Sequence, residues 1–414
     1  MAACKGVPLE KGIGNGGGLD EVRLISLSGF WECLKQGLWS FFLAGEGWSG
    51  MDTETRLGLI LREPTEEVIT VEELRQLLET ESSPVAYDGF EPSGLAHIPF
   101  GVMRAIKLRD MLEAGCRFKL LIADWHAMIN NKMGGDLEKI KKVGEYFVEV
   151  WKASGIDTSR VEIVWASELA SDSDYWKLVI QVARNTTIKR ILRCLPIMGR
   201  REGELQEASQ IIYPAMQVAD IFTLEAKICQ LGVDQRRANI LARELGPKLG
   251  YWKPVAVHHH MLMGLQGPTT PAGMEDEKEE YDIEISSKMS KSKPETSIFV
   301  HDDLGTIKQK LLSAYCPPKQ VSGNPVLEYC RYIIFRIQDR LYVERPEKYG
   351  GPVTYYSYRD LEHDYASGSL HPLDLKNAVA EALYKILEPI RIYFEGNKRA
   401  RELYEFVKNQ EIVR

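Results

Sequence analysis

Apolar and polar positions along this chain change their spacing repeatedly, and each change marks an element. In TVEELRQLLETES, Thr70 is followed by Glu72 and Glu73 and then by leucines at helical intervals, the pattern of a capped amphipathic helix. PVAYDGF, ending at Phe90, is a short strand. HIPFGVMRAIKLRDMLEAG is helical, with Val102, Ile106 and Leu112 on one face and a glycine stop. RFKLLIADW is a continuous apolar strand, and GDLEKIKKVGEYFVEVWKASG a helix with Leu137, Ile140, Val143, Phe147 and Val150 facing inward. Then come strand VEIVWAS, helix EASQIIYPAMQVADIFTLEA, strand KICQLG, helix VDQRRANILAREL and strand KPVAVHHHML. Apolar strands alternating with helices of this length predict an α/β fold with a Rossmann-like, doubly wound parallel sheet. Ligands of such sheets lie beyond the carboxyl ends of the strands.

The alternation then stops. PTTPAGMEDEKEEYDIE, residues 268–284, opens on proline and glycine and continues with seven acidic residues against one lysine, which reads as a solvated, mobile acidic loop reaching to about 287. From about Asp302 the pattern is helical only, predicting a second, all-α domain over 301–414. Residues 51–300 form the expected sheet domain, with a connective insertion near 170–210. Residues 1–50 mix a glycine cluster with aromatics and hold no lasting period. They read as a poorly ordered extension, or as sequence upstream of a start at Met51.

Composition adds boundaries rather than identity. A chain of 414 residues can bury a large core, and no stretch is apolar for the length a membrane span needs. The net charge of -7 argues against a polyanionic partner, yet residues 184–201 carry six Lys or Arg and no acid, so nucleic acid stays open. Seven scattered cysteines with no C-x-x-C pair signal neither a disulfide framework nor a zinc site and suit a reducing compartment such as the cytoplasm.

Two short stretches carry candidate chemistry. In YDGFEPSGLAHIPFG a strand ends, Gly94 permits a tight turn, and His97 falls at the start of a helix, where free amides and the positive dipole end attract phosphate. Nearly two hundred positions later, KMSKS places Lys288 and Lys291 around Met289 and Ser290, followed by Ser292, where two ammonium groups can swing onto the phosphates of a nucleotide. Tyr213, Gln217 and Asp220 recur at i, i+4 and i+7, so one helix face presents polar groups that need partners. His258, His259 and His260 alternate faces along a strand, which disfavours a three-histidine metal site, and no metal site is expected. Asp234 suits either ribose hydroxyls or a helix cap. LHPLDL reads as a helix start with Asp374 capping.

These segments together resemble the class I aminoacyl-tRNA synthetases, and more narrowly the tyrosyl-tRNA synthetases of the eukaryotic cytosolic and archaeal type. The resemblance runs from Met51 to the C-terminus through YDGFEPSG, IADWHA, NNKMGGDLEKI, YPAMQVADI, GVDQRR, KMSKS, AYCPP and LHPLDLKNAVAEAL. It implies activation of L-tyrosine by ATP, accompanied by Mg²⁺ without a dedicated protein site, then transfer to tRNA(Tyr) by a homodimer. It also implies roles. His97, Lys288 and Lys291 would be catalytic, and ATP would be held by Gly94, His97, Asp234 and the Lys288, Met289, Ser290, Lys291, Ser292 run. Tyr213, Gln217 and Gln235 would hold the amino group of tyrosine, and Tyr87 with Asp220 its phenol. His371 would stack on an anticodon base and Asp374 accept from a guanine edge, making the helical tail an anticodon-binding domain. The basic stretch 184–201 would meet the acceptor stem.

One departure stands out. The family's His-Ile-Gly-His signature here reads His97-Ile98-Pro99-Phe100, so the second histidine is replaced by phenylalanine. That motivates an alternative, a synthetase-like RNA-binding protein without catalysis. A tryptophanyl enzyme is a second alternative, disfavoured by the Tyr87 and Asp220 pair.

Overall fold

The computed structural model describes residues 50–200, 202–269, 279–291 and 293–410. The extension 1–49, most of the acidic stretch at 270–278, and Ser292 lie outside the described residues.

Six strands form one sheet: β1 Thr65–Ile69, β2 Val85–Phe90, β3 Arg117–Ile122, β4 Val161–Trp165, β5 Ile228–Gly232 and β6 Val255–His259, in the order β1-β6-β5-β2-β3-β4. From β6 to β4 all neighbours are parallel, as the buried apolar runs require. Alternation along the strands then divides the core. Ala86, Leu120, Ile122 and Ile228 face one hydrophobic cluster together with the helix Leu137–Ala153, whereas Tyr87, Leu121, Cys229 and Leu231 face another beneath helices Ser173–Arg184, Ser209–Thr223 and Arg236–Leu245. Helices therefore cover both faces, and the strand order reverses between β2 and β5, which opens a crevice at their carboxyl ends.

Three expectations are corrected. The sheet is mixed, because β1 joins β6 antiparallel with Ile69 opposite Ala256; its five residues, polar and half-buried at an edge, carry no strand period. The region after Asp302 is not helical throughout, since β7 Leu341–Val343 and β8 Val353–Tyr355 make a small antiparallel hairpin. The acidic stretch is not loop to its end either: Glu279–Ser287 is a helix, with Tyr281 and Ile285 buried against Val233. Two apolar residues one helical turn apart outweigh the surrounding charge there.

The helix Val71–Thr80 has the full capping box, Thr70 and Glu73 each bonding the other's backbone amide. In the tail, Leu304–Ser313 packs along the 25-residue helix Pro372–Gly396, whose Leu375, Val379 and Leu383 continue the cluster that contains Leu120 and Ile122. Tyr393 donates to Glu149 at 2.6 Å, and the Tyr146 hydroxyl meets a His301 ring nitrogen at 2.9 Å, so the tail is bonded to the helix Leu137–Ala153.

Candidate active site

A cavity of about 840 Å³ opens at the crevice between β2 and β5. Tyr87, His97, Tyr213, Gln217, Asp220, Asp234 and Gln235 all line it, and so do Lys288, Met289, Ser290 and Lys291. The two distant stretches meet through backbone bonds. Ile98 N–H donates to Ile298 O at 2.9 Å and Val300 N–H to Ala96 O at 3.0 Å, forming a bridge of His97 with Phe299, while Lys288 bridges Met263. The segment after the lysine loop is thus stitched onto the strand-to-helix turn.

That stitching changes the expected phosphate trap. His97 precedes a π-helical turn, Pro99–Met103, that runs into the helix Arg104–Glu113. The Ile98 amide is already taken and Pro99 has none, so two of the amides a helix start would offer an anion are withdrawn. Cations supply the positive field instead. Burial, then Lys291, Arg104 and Lys288 around it, hold the His97 imidazole well below its usual range. Gly94 makes the turn, with φ +113°, but does not itself line the cavity.

The cations have distinct holders. Lys288 Nζ donates to Asp234 Oδ2 at 2.6 Å. Burial alone would raise the Asp234 carboxyl, but Lys288 overrides it and the group is held low. Asp234 caps no helix. Lys291 Nζ reaches Ser93 Oγ at 3.3 Å and rests on aromatic faces; burial, with repulsion from Lys132, lowers its ammonium to about 7. Arg104 is paired with Asp88, whose carboxyl burial nevertheless pushes up to about 6.

At the inner end the polar groups form a network. Asp220 Oδ1 accepts from the Tyr175 hydroxyl at 2.8 Å, and Oδ2 lies 3.0 Å from His126 Nε2. The Tyr87 hydroxyl is fully buried, and neither it nor Gln217 Oε1 has a well-formed hydrogen bond. Burial, with Cys229 and Asp220 nearby, keeps the Tyr87 phenol neutral by raising it well above its usual value. An orphaned hydroxyl beside an anchored carboxylate is what a buried phenol requires as host. A few ångströms of side chain away, Tyr213 donates to Glu91 Oε1 at 2.7 Å, Gln217 Nε2 donates to Gln235 Oε1 at 3.0 Å, and Gln235 donates to Ile197 O at 3.0 Å. Glu91, Tyr213 and Gln217 Oε1 leave acceptors suited to an ammonium group.

Sequence reasoning missed Glu91, Arg104 and Tyr175. Nothing in local spacing marks them, since each comes from a different element and acts through a residue far away in the chain. His126, in the IADWHA segment, lines the cavity as well. The three consecutive histidines do separate: His258 bonds Glu67 and Asn239, His259 meets Gln230 at 2.6 Å, and His260 sits among Glu66, Glu284 and Glu328. Glu66, His260 and Glu284 lie close enough to hold a metal ion in principle. His371 and Asp374 lie outside the cavity; His371, not Asp374, caps the helix Pro372–Gly396, Nδ1 accepting from Leu373 N–H at 3.2 Å. In the basic stretch Arg200 folds inward onto Asn130, Arg190 pairs with Glu244, and Arg184, Lys189 and Arg193 stay exposed.

A doubly wound sheet whose switch-point cleft joins a cluster of cations to a buried polar pocket is the architecture of a nucleotide-binding α/β protein. The family model described as "tRNA synthetases class I (W and Y)" matches residues 79–270 and 283–388, and the chain belongs to that family. Among curated proteins it is 50% identical over 358 residues to "Tyrosine--tRNA ligase 1, cytoplasmic" of Arabidopsis thaliana, covering 86% of this chain and 89% of that one. Among solved structures it is similar to the tyrosyl-tRNA synthetase of Pyrococcus horikoshii complexed with L-tyrosine, with TM-score 0.79, 46% identity, and coverage of 86% of this chain and 100% of that one. The tyrosyl-tRNA synthetase of Aeropyrum pernix matches at TM-score 0.76 and 44% identity, over 86% of this chain and 99% of that one.

Proposed function

We infer that this chain is a tyrosine–tRNA ligase that activates L-tyrosine with ATP and passes it to tRNA(Tyr). The observation that carries the reading is the shared cavity: His97, Lys288 and Lys291 line the same space as Tyr87 and Asp220. A phenol donating to Asp220 and accepting from Tyr87 fills the orphaned end, and the amino group lies against Tyr213, Gln217 and Gln235, with Glu91 balancing its charge. The carboxylate, already ionised at neutral pH, then attacks the α-phosphorus of ATP and pyrophosphate leaves; the terminal adenosine hydroxyl of tRNA in turn attacks the carbonyl carbon of the tyrosyl adenylate, losing its proton as the acyl–phosphate bond breaks and AMP leaves. No protein nucleophile is needed. His97, Lys288 and Lys291 stabilise charge on the phosphates, and Mg²⁺ comes with the nucleotide.

For nucleotide binding, Asp234 releases Lys288 and becomes free to accept from the ribose. Gly94 shapes the turn, while Met289 and Ser290 carry the loop. We assign the anticodon to His371 and Asp374 on the start of the tail helix, and the acceptor stem to the exposed Arg184, Lys189 and Arg193. A homodimer is supported by isoleucines Ile180, Ile188, Ile211 and Ile212, exposed on neighbouring helices. We place the enzyme in the cytoplasm, where its reduced cysteines belong. The decisive experiment is tyrosine-dependent ATP–pyrophosphate exchange with tyrosine, phenylalanine and tryptophan side by side. Exchange with tyrosine alone is expected; none with any amino acid would favour the non-catalytic RNA-binding reading that Pro99 and Phe100 motivate.

A further inference from the structure

We infer that Phe100 and Phe147 are positioning residues for adenylate formation, their rings forming an aromatic seat that holds the Lys291 ammonium over the phosphate end of the cleft. The inference rests on the reading of Lys291 as a phosphate-binding group. Lys291 Nζ lies 4.6 Å from the centroid of the Phe147 ring and 5.7 Å from that of Phe100. Both fall inside the range of about 6 Å within which a ring face attracts an ammonium. The two rings are 4.2 Å apart, and Phe100 also meets Trp151 at 5.2 Å and Phe90 edge-on at 5.0 Å. With Phe100 4% and Phe147 1% exposed, neither ring is free to leave. Phe90 carries a second cation, the Arg104 guanidinium, 4.9 Å above its ring.

The chemistry of the seat explains why rings stand here. Lys288 is held by a carboxylate, which neutralises it and has to be displaced before a phosphate can bind. A π face attracts the cation without neutralising it, so Lys291 is placed while its charge stays available. A histidine at position 100 would put a further hydrogen-bond donor beside an ammonium that burial already strains. Phenylalanine at that position thus serves the late lysine loop rather than the nucleotide directly.

The test measures pyrophosphate exchange and tyrosine binding for the full-length chain bearing Phe100→Leu, Phe147→Leu or Phe100→Tyr, each also combined with Lys291→Ala. Each leucine variant is expected to lose about two- to thirtyfold in kcat/KM for ATP, with tyrosine affinity unchanged and Phe100→Tyr retaining most of the activity. Loss of the π face makes the protonated lysine harder to keep, so the alkaline limb of kcat/KM for ATP should move to lower pH. In the Lys291→Ala background the leucine changes should add nothing. Equal losses there, or a parallel loss of tyrosine affinity, would overturn the seat and leave plain packing. Full activity of Lys291→Ala by itself would bring down the underlying reading of Lys291 and the seat with it, an outcome told apart from the first. If the leucine variants do not fold, ring-fluorinated phenylalanine at position 147 keeps the shape while draining the face; a loss that grows with fluorine number supports the seat, and a flat series refutes it.

Discussion

The two ends of the cleft are built on opposite plans. At the inner end Asp220 accepts from Tyr175 and has His126 Nε2 3.0 Å away before any ligand arrives, and unmet hydrogen-bonding capacity remains at the buried Tyr87 hydroxyl and at Gln217 Oε1. At the outer end the cations wait on holders that can be given up: Lys288 on Asp234, Lys291 on rings and Ser93. A neutral phenol is recognised by geometry, so its host is preorganised. A triphosphate is recognised by charge, so its host stores charge and rearranges. Specificity and rate enhancement should therefore separate by position along the cleft.

The largest effect expected is at the outer end. Lys291→Ala should slow adenylate formation by about 10²- to 10³-fold in single-turnover experiments, the scale of losing one charge-stabilising donor, while tyrosine affinity stays nearly intact. Losses of equal size in both would erase the contrast between the ends. Next in size is Asp220→Asn. The amide keeps an acceptor for Tyr175 but surrenders the charge that a phenol donates to, a loss of about 1.5–3 kcal/mol for a hydrogen bond to a charged group. Steady-state exchange should show a drop of roughly ten- to a hundredfold in kcat/KM for tyrosine, with the phenylalanine background barely changed, so that discrimination narrows.

Much of the outer end was legible in the sequence because its parts are contiguous. KMSKS and the turn before His97 are short, and the alternation of strands and helices between them already implies a crevice. What the pattern could not show is how the pieces are held. Ile98 bonds Ile298 and Val300 bonds Ala96, each across about two hundred residues, which takes up the Ile98 amide that the motif alone leaves free. The inner end was legible where polar residues repeat on one helix face, as Tyr213, Gln217 and Asp220 do. Tyr175 stayed hidden because it reaches Asp220 from a separate helix, and the chain's other tyrosines look no different in sequence. Strand β1 and the hairpin β7–β8 escaped for another reason: strands of three to five residues are too short to establish a period of two.

Tyr175→Phe isolates the inner network's support from its charge. Removing one hydroxyl donor to Asp220 should cost about 1 kcal/mol and raise KM for tyrosine roughly fivefold, leaving kcat nearly unchanged. An effect on kcat instead would mean that Asp220 is coupled to the chemistry at the other end.

The smallest effect tests whether His126 holds Asp220 as a cation. Burial alone would push this imidazole down, yet Asp220 at 3.0 Å carries it above its ordinary value of 6.5. The sign of the linkage follows: a histidine whose folded value is raised contributes stability that is fully present below the unfolded value and is lost as pH rises through the folded one. Thermal midpoints of the wild-type chain should therefore decline as pH rises from the ordinary value of 6.5 through the raised folded one, and tyrosine KM should drift upward by about two- to threefold over the same interval. In His126→Asn both slopes should flatten, because an amide can still donate to the carboxylate but does not titrate. If the variant keeps the wild-type slopes, the inner end is organised by neutral hydrogen bonds alone, and the charge contrast between the two ends is sharper still.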